Sequence, residues 1–168
     1  MTPDLMRLRA SLEPLRDLVD SLELELVDDP RWAESSDMSY LNEKDRANPD
    51  IMANVEAMLA TNELIAGFGR DMEGFVGLWQ GPKRTPLDEA PVVRLDTEGQ
   101  YAIVAATVGD YLAISVAEKK LAQTRDALVA VGFSVAESRE AIWAALDAFD
   151  NPNDYRNTLY KSARAKRS

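Results

Sequence analysis

The sequence predicts an α+β fold, with a largely antiparallel sheet of about four strands packed against N- and C-terminal helices. Three observations carry this prediction. Leucines recur at helical spacing near the N-terminus, short apolar runs joined by short links follow, and helix-start motifs punctuate the rest. Short links between consecutive strands favour antiparallel pairing, with the helices on one face. At 168 residues, a single domain over 1–168 is expected.

The N-terminal segment, 3–26, carries one apolar stripe. Its members are Leu5, Leu8, Leu12, Leu15, Leu18, Leu22 and Leu26. Spacings of three and four predict a helix, and a proline-broken stripe of this length favours core packing over a coiled coil. Because Pro14 removes a backbone hydrogen bond, a kink or break is expected at Ser11 to Glu13.

An acidic loop is predicted over 27–50, because this segment has no clear period and is rich in turn-forming residues. Trp32 and Tyr40 either anchor this loop to the core or form contact points for a partner. A helix follows, since Asn48 is a good N-cap and Pro49 suits the first helical position.

Four apolar runs predict the strands: 64–69, 74–80, 92–96 and 101–106. Thr107 and Asp110 form a helix start, and Gly132 ends that helical stretch. Ser134 and Glu137 form a capping box for a last helix, on which Trp143 is expected in the core. The basic tail, 156–168, is expected to be frayed and solvated.

Charge is distributed unevenly along the chain. The net charge is −10, and residues 1–73 hold 17 acidic and 7 basic side chains, whereas 74–168 hold 12 of each. Acidic surfaces repel nucleic acid and attract basic proteins.

No apolar stretch has the roughly 18 residues that a membrane span needs, and no signal-peptide pattern is visible. A cytoplasmic protein with a protein partner is therefore expected, without nucleic-acid or membrane contacts.

The sequence contains no cysteine and no histidine. Thiol nucleophiles, imidazole bases and thiolate or imidazole metal sites are therefore excluded. Asp71, Glu73 and Asp96 could in principle supply acid–base chemistry or hold magnesium. Because turns are rich in solvated carboxylates, an enzyme is not expected, and no catalytic, metal or cofactor residues are assigned.

Residues 64–115 resemble the SUKH superfamily, the Smi/Knr-type domains. The resembling pieces are a glycine-turned hairpin at 66–69 and 74–79, a proline-led strand ending in an acid at 91–96, and a capped helix start at 108–112. The resemblance implies a bacterial immunity protein that neutralises a toxin, often a nuclease, by direct binding. The alternative within the family is a regulatory interaction domain, and neither is an enzyme.

These observations predict a non-enzymatic protein-binding domain, most specifically an immunity-type inhibitor of a toxin. The alternative is a regulatory or scaffold domain without a toxin partner, and the remote alternative is a carboxylate-based hydrolase. The expected contact surface mimics phosphate charge in a basic active site. It comprises Asp28, Asp29, Trp32, Glu34 and Asp37, with a second patch at Asp71 and Glu73.

Overall fold

The computed structural model describes residues 2–28, 30–32 and 36–167. Within these residues lies one antiparallel sheet of five strands in the order β1-β2-β3-β4-β5, which confirms the α+β class and adds a strand to the predicted four. The strands are β1 (Glu25–Leu26), β2 (Ile65–Asp71), β3 (Gly74–Trp79), β4 (Val92–Asp96) and β5 (Tyr101–Ala105).

The helices precede and follow the β2–β5 meander. They are α1 (Pro3–Ala10), α2 (Arg16–Ser21), α3 (Glu43–Ala47), α4 (Pro49–Asn62), α5 (Val108–Ile114), α6 (Leu121–Ala130), α7 (Arg139–Ala144) and α8 (Pro152–Lys166), with 3-10 turns at Glu118–Lys120 and Ala145–Ala148. The predicted caps are confirmed, because the side chains of Asn48 and Thr107 accept backbone N–H groups of α4 and α5. No helix in the described part of the chain combines the length and apolar character needed to cross a membrane.

The predicted break in the N-terminal helix is confirmed by turns over 11–15, between α1 and α2. The helical stretch ends at Ser21, however, and Leu26 lies in β1 rather than on a helix. The predicted loop 27–50 is also shorter than expected, because Asn42 and Asp45 form a reciprocal capping box that starts α3.

Helices cover both faces of the sheet, not one face as expected. On one face, α1, α2, α5 and α6 pack on the strands through a core that includes Leu8, Val19, Tyr111, Leu128 and Val92. On the other face, Met58 of α4 and Tyr155 of α8 pack on Trp79, Val93 and Tyr101. Successive strand residues point to opposite faces, so consecutive buried residues mark a sheet covered on both sides.

The C-terminal region departs most from the prediction. Ser138, not Ser134, caps α7, and its Oγ accepts the N–H of Ala141 at 3.1 Å. The expected frayed tail is the helix α8, which begins at the Asn151 cap with Pro152 in its first turn. The Asn-Pro pair therefore starts a helix instead of ending one. Ion pairs from Arg164 to Asp50 and from Arg167 to Glu56 join α8 to α4.

Candidate functional site

Two acids of the predicted N-terminal patch are exposed in the structure. Asp28 follows β1 with 96% of its side chain exposed, and it pairs with Arg9 at 3.0 Å. Asp37 accepts the N–H of Ser39 at 2.8 Å and its hydroxyl at 2.9 Å, and these hydrogen bonds hold the pKa of Asp37 below its ordinary value. Asp29 and Glu34 lie outside the described residues.

Trp32 is a core residue, which corrects its assignment to the contact surface. Only 2% of it is exposed, and its indole N–H donates to the carbonyl of Val76 at 3.2 Å. A Cβ on Gly67 would lie 1.8 Å from the Trp32 ring, so the ring occupies space that only a glycine leaves open. Trp32 therefore anchors its segment to the sheet, while the other aromatic residue of that segment, Tyr40, is 70% exposed.

Asp71 of the second predicted patch is also buried. Its Oδ2 accepts the Nε and Nη2 of Arg94 at 3.0 and 2.6 Å and the hydroxyl of Tyr111 at 2.8 Å. Its Oδ1 accepts the N–H groups of Glu73 and Gly74 at 2.9 and 3.0 Å. Asp71 therefore joins β2, β4 and α5, and it does not present its carboxylate to a partner.

Burial and charge fix the protonation states of this network. Burial lowers the pKa of Arg94, but the hydrogen bonds and charge of Asp71 outweigh that effect, so the pKa of Arg94 rises above its ordinary value. Burial raises the pKa of Tyr111, and the negative charge of Asp71 raises it further. Arg94 thus stays charged and Tyr111 stays a hydrogen-bond donor at neutral pH.

Glu73 is the accessible acid of this patch. Its side chain is 61% exposed, and its Oε2 pairs with Nη1 of Arg94.

Asp96, the third carboxylate considered for catalysis, accepts the N–H groups of Glu98 and Gln100 at 2.9 and 2.8 Å and so stabilises the β4–β5 turn. Among the residues that the structure describes, no group of three or more acidic side chains could hold a metal ion.

A groove of about 430 Å³ lies over this network, and we name it the Trp143 groove. Asp71, Arg94 and Tyr111 line it together with Glu73. Its other lining residues are Ser21, Leu22, Met72, Ile103, Val104, Ile114, Ser115, Trp143 and Leu146. A concave surface that combines apolar and aromatic side chains with a few fixed polar groups is typical of binding sites.

Trp143 is half exposed, at 52%, although the sequence predicted a core position. The six-residue α7 buries Ile142 instead, and the neighbouring Trp143 points to another side of the helix. Arg139 lies 5.9 Å from the Trp143 ring centroid and is itself held by the carbonyls of Ile114 and Val116 at 3.1 and 2.6 Å. Its ion pair with Glu118 at 2.6 Å fixes it further.

Met72, at the tip of the β2–β3 turn, is 63% exposed and lines the same groove. The charges of its neighbours Asp71 and Glu73 predict a contact patch at this turn, whereas Met72 carries no charge and is not predicted to belong to it. An apolar side chain at a turn tip, flanked by acids, was the available signal.

Comparison with protein-family models, with curated proteins and with solved structures finds no match for this chain. What the chain does is therefore inferred from its own side chains, above all those of the Trp143 groove and the exposed acids around it.

Proposed function

We propose that this chain is a non-enzymatic protein-binding domain of the immunity type, which neutralises a bacterial toxin by binding it directly. One observation carries the proposal. The Trp143 groove places exposed Trp143 and Met72 beside the exposed carboxylate of Glu73, in a chain with a net charge of −10. Tryptophan is enriched at the energetic centres of interfaces, and negative charge accelerates the encounter with a basic partner.

The state of the carboxylates supports binding over catalysis. A general acid or base must exchange a proton with the substrate. Both oxygens of Asp71 already accept hydrogen bonds within the fold, and Glu73 shares the Arg94 guanidinium with it. These contacts hold the Asp71 and Arg94 side chains in fixed positions beneath the Trp143 groove, as a binding site requires.

The arrangement of elements over 64–115 also supports the proposal. The β2–β3 hairpin, the strand β4 that follows Pro91 and ends at Asp96, and the Thr107-capped α5 occur in the order that the SUKH resemblance describes. Exposed Asp28, Asp37 and Glu73 supply surface charges that can imitate nucleic-acid phosphates in a basic active site.

The test begins with affinity capture from the source organism's lysate at low salt, followed by identification of the bound protein. We expect a stoichiometric basic protein that high salt releases, because the attraction is electrostatic. Expressed alone, that protein should arrest growth, and co-expression of this chain should restore it. A captured partner whose expression leaves growth unchanged would contradict the toxin-inhibitor function and favour a regulatory or scaffold domain.

A further inference from the structure

We infer that the Trp143 groove receives an arginine side chain of the partner, stacked on the Trp143 ring with its guanidinium at Glu73. The inference rests on the proposed function, since it names the part of the partner that this domain binds. It follows from three features of the groove: an aromatic surface, an accessible carboxylate, and apolar side chains in the lining.

The aromatic surface is Trp143. Arg139 already lies 5.9 Å from the ring centroid, and 52% of the residue nevertheless stays exposed. Arginine is the cation that stacks best on an aromatic face, because its guanidinium is planar and weakly hydrated. The contacts that Arg139 makes with Ile114, Val116 and Glu118 hold this stack in place before a partner arrives.

The carboxylate is Glu73. It pairs with Arg94 through Oε2 and keeps 61% of its side chain exposed, so it can accept a second guanidinium at the rim. Asp71 and Glu73 outnumber Arg94 among the charged residues that line the groove, and Glu118 balances the charge of Arg139 beside the Trp143 ring. The groove therefore carries an excess of negative charge, in keeping with the −10 of the whole chain.

The walls favour arginine over a small cation. Ile103, Val104, Ile114 and Leu146 line the groove with apolar surface, against which the methylene stem of a long cationic side chain can pack. Lysine has a comparable stem, but its ammonium is compact and strongly hydrated and gains less from the Trp143 ring. An acidic segment is disfavoured by Glu73 and by the net charge.

Titration with a capped tetra-arginine peptide at low salt, followed by tryptophan fluorescence, tests the inference. Trp143 is 52% exposed, whereas Trp32 and Trp79 are 2% and 3% exposed, so a peptide in the groove changes the emission of Trp143. We expect a saturable change and tighter binding of tetra-arginine than of tetra-lysine. No emission change, or equal binding of the two peptides, would overturn the inference.

Charge-matched variants distinguish peptide binding in the Trp143 groove from a general attraction of a cationic peptide to an acidic protein. Glu73→Gln and Glu89→Gln remove the same charge, but exposed Glu89 lies in the β3–β4 loop, at the other end of the strands from the β2–β3 turn. By calorimetry, Glu73→Gln should weaken tetra-arginine binding about three- to five-fold, the scale of one exposed ion pair, and Trp143→Ala should also weaken it. Equal losses for Glu73→Gln and Glu89→Gln would overturn the assignment.

The peptide titration needs no toxin, so the two proposals fail separately. If the peptide does not bind the groove but co-expression still rescues growth, the toxin contact lies elsewhere and the function stands. If the peptide binds but the captured partner is harmless, the arginine site stands and the toxin function fails.

Discussion

Arg94 holds the buried carboxylate of Asp71 by two hydrogen bonds to a single oxygen, Oδ2, from Nε at 3.0 Å and from Nη2 at 2.6 Å. Tyr111 adds a third hydrogen bond to the same oxygen from α5. Only 1% of the Asp71 side chain and 18% of the Arg94 side chain are exposed. This pair therefore ties β2, β4 and α5 together beneath the Trp143 groove.

Replacing Arg94 by Ala should strongly destabilise the fold, because it leaves the buried charge of Asp71 without its counter-ion. We expect the free energy of unfolding to fall by about 3–5 kcal/mol, measured by urea denaturation. Adding Asp71→Asn to Arg94→Ala should recover part of the loss, since the neutral amide removes the unpaired charge. A loss below about 1 kcal/mol for Arg94→Ala would contradict this role.

Stability should fall as the pH rises above 10.0, the ordinary pKa of tyrosine. Burial raises the pKa of both Tyr111 and Tyr101, so the folded protein keeps protons that the unfolded chain releases. Each tyrosine contributes fully to the free energy of unfolding below pH 10.0. This contribution is lost as the pH rises toward the higher pKa that the tyrosine has in the folded protein. Each tyrosine should lower the unfolding free energy by up to about 1.4 kcal/mol per pH unit over that range.

Unfolding measured from about pH 9 to about pH 11 checks this slope. Tyr111→Phe removes one of the two phenols whose pKa burial raises, and it should make the fall with pH shallower. An unchanged slope in Tyr111→Phe would show that Tyr111 does not titrate with folding.

Asn153 should stabilise β5, the last strand in the order of the sheet. Its side-chain amide accepts the N–H of Tyr101 at 3.2 Å and donates to the carbonyl of the same residue at 2.6 Å. Asn153→Ala leaves both backbone groups of Tyr101 without this partner and should cost about 1–3 kcal/mol. Asn157→Ala, at an exposed position of the same helix, is the matched control and should cost less than about 0.5 kcal/mol.

Hydrogen exchange gives a local measurement of the same contact. The Tyr101 amide should exchange faster in Asn153→Ala than in Asn157→Ala. Equal protection in the two variants would mean that Asn153 does not cap β5.

Substitution of Trp32 should destabilise the fold far more than substitution of Trp143. Trp32→Ala empties a buried site and should cost about 3–5 kcal/mol. Trp143→Ala removes a half-exposed ring and should cost less than about 1 kcal/mol. Thermal or urea unfolding of both variants measures the contrast, and a greater loss for Trp143→Ala would reverse the assignment of core and surface.

The parts of the fold that sequence alone predicted are those set by neighbouring residues. Asn48 and Thr107 cap helices through hydrogen bonds that span two or three residues, so their signal is local. The strand β1 is two residues long and exists because it pairs with Gly69 and Arg70, far along the chain. Such a strand has no pattern of its own to detect.

The site was only partly predictable for the same reason. Charge selected Asp71 and Glu73, but the groups that bury Asp71 lie 23 and 40 residues away in sequence, at Arg94 and Tyr111. The sequence predicts a core position for Trp143, because a tryptophan on a helix usually packs inward. The position of α7 over the groove, which exposes this ring, depends on tertiary contacts that no local pattern records.

The most direct measurement is the dissociation constant of the captured toxin for the wild-type chain and for Trp143→Ala, by calorimetry at low salt. We predict one-to-one binding that Trp143→Ala weakens by at least about 30-fold, the effect of a central interface tryptophan. The matched variant Glu89→Gln should retain wild-type affinity within about three-fold, because its charge lies away from the groove. The same dissociation constant for Trp143→Ala and the wild type would contradict the account.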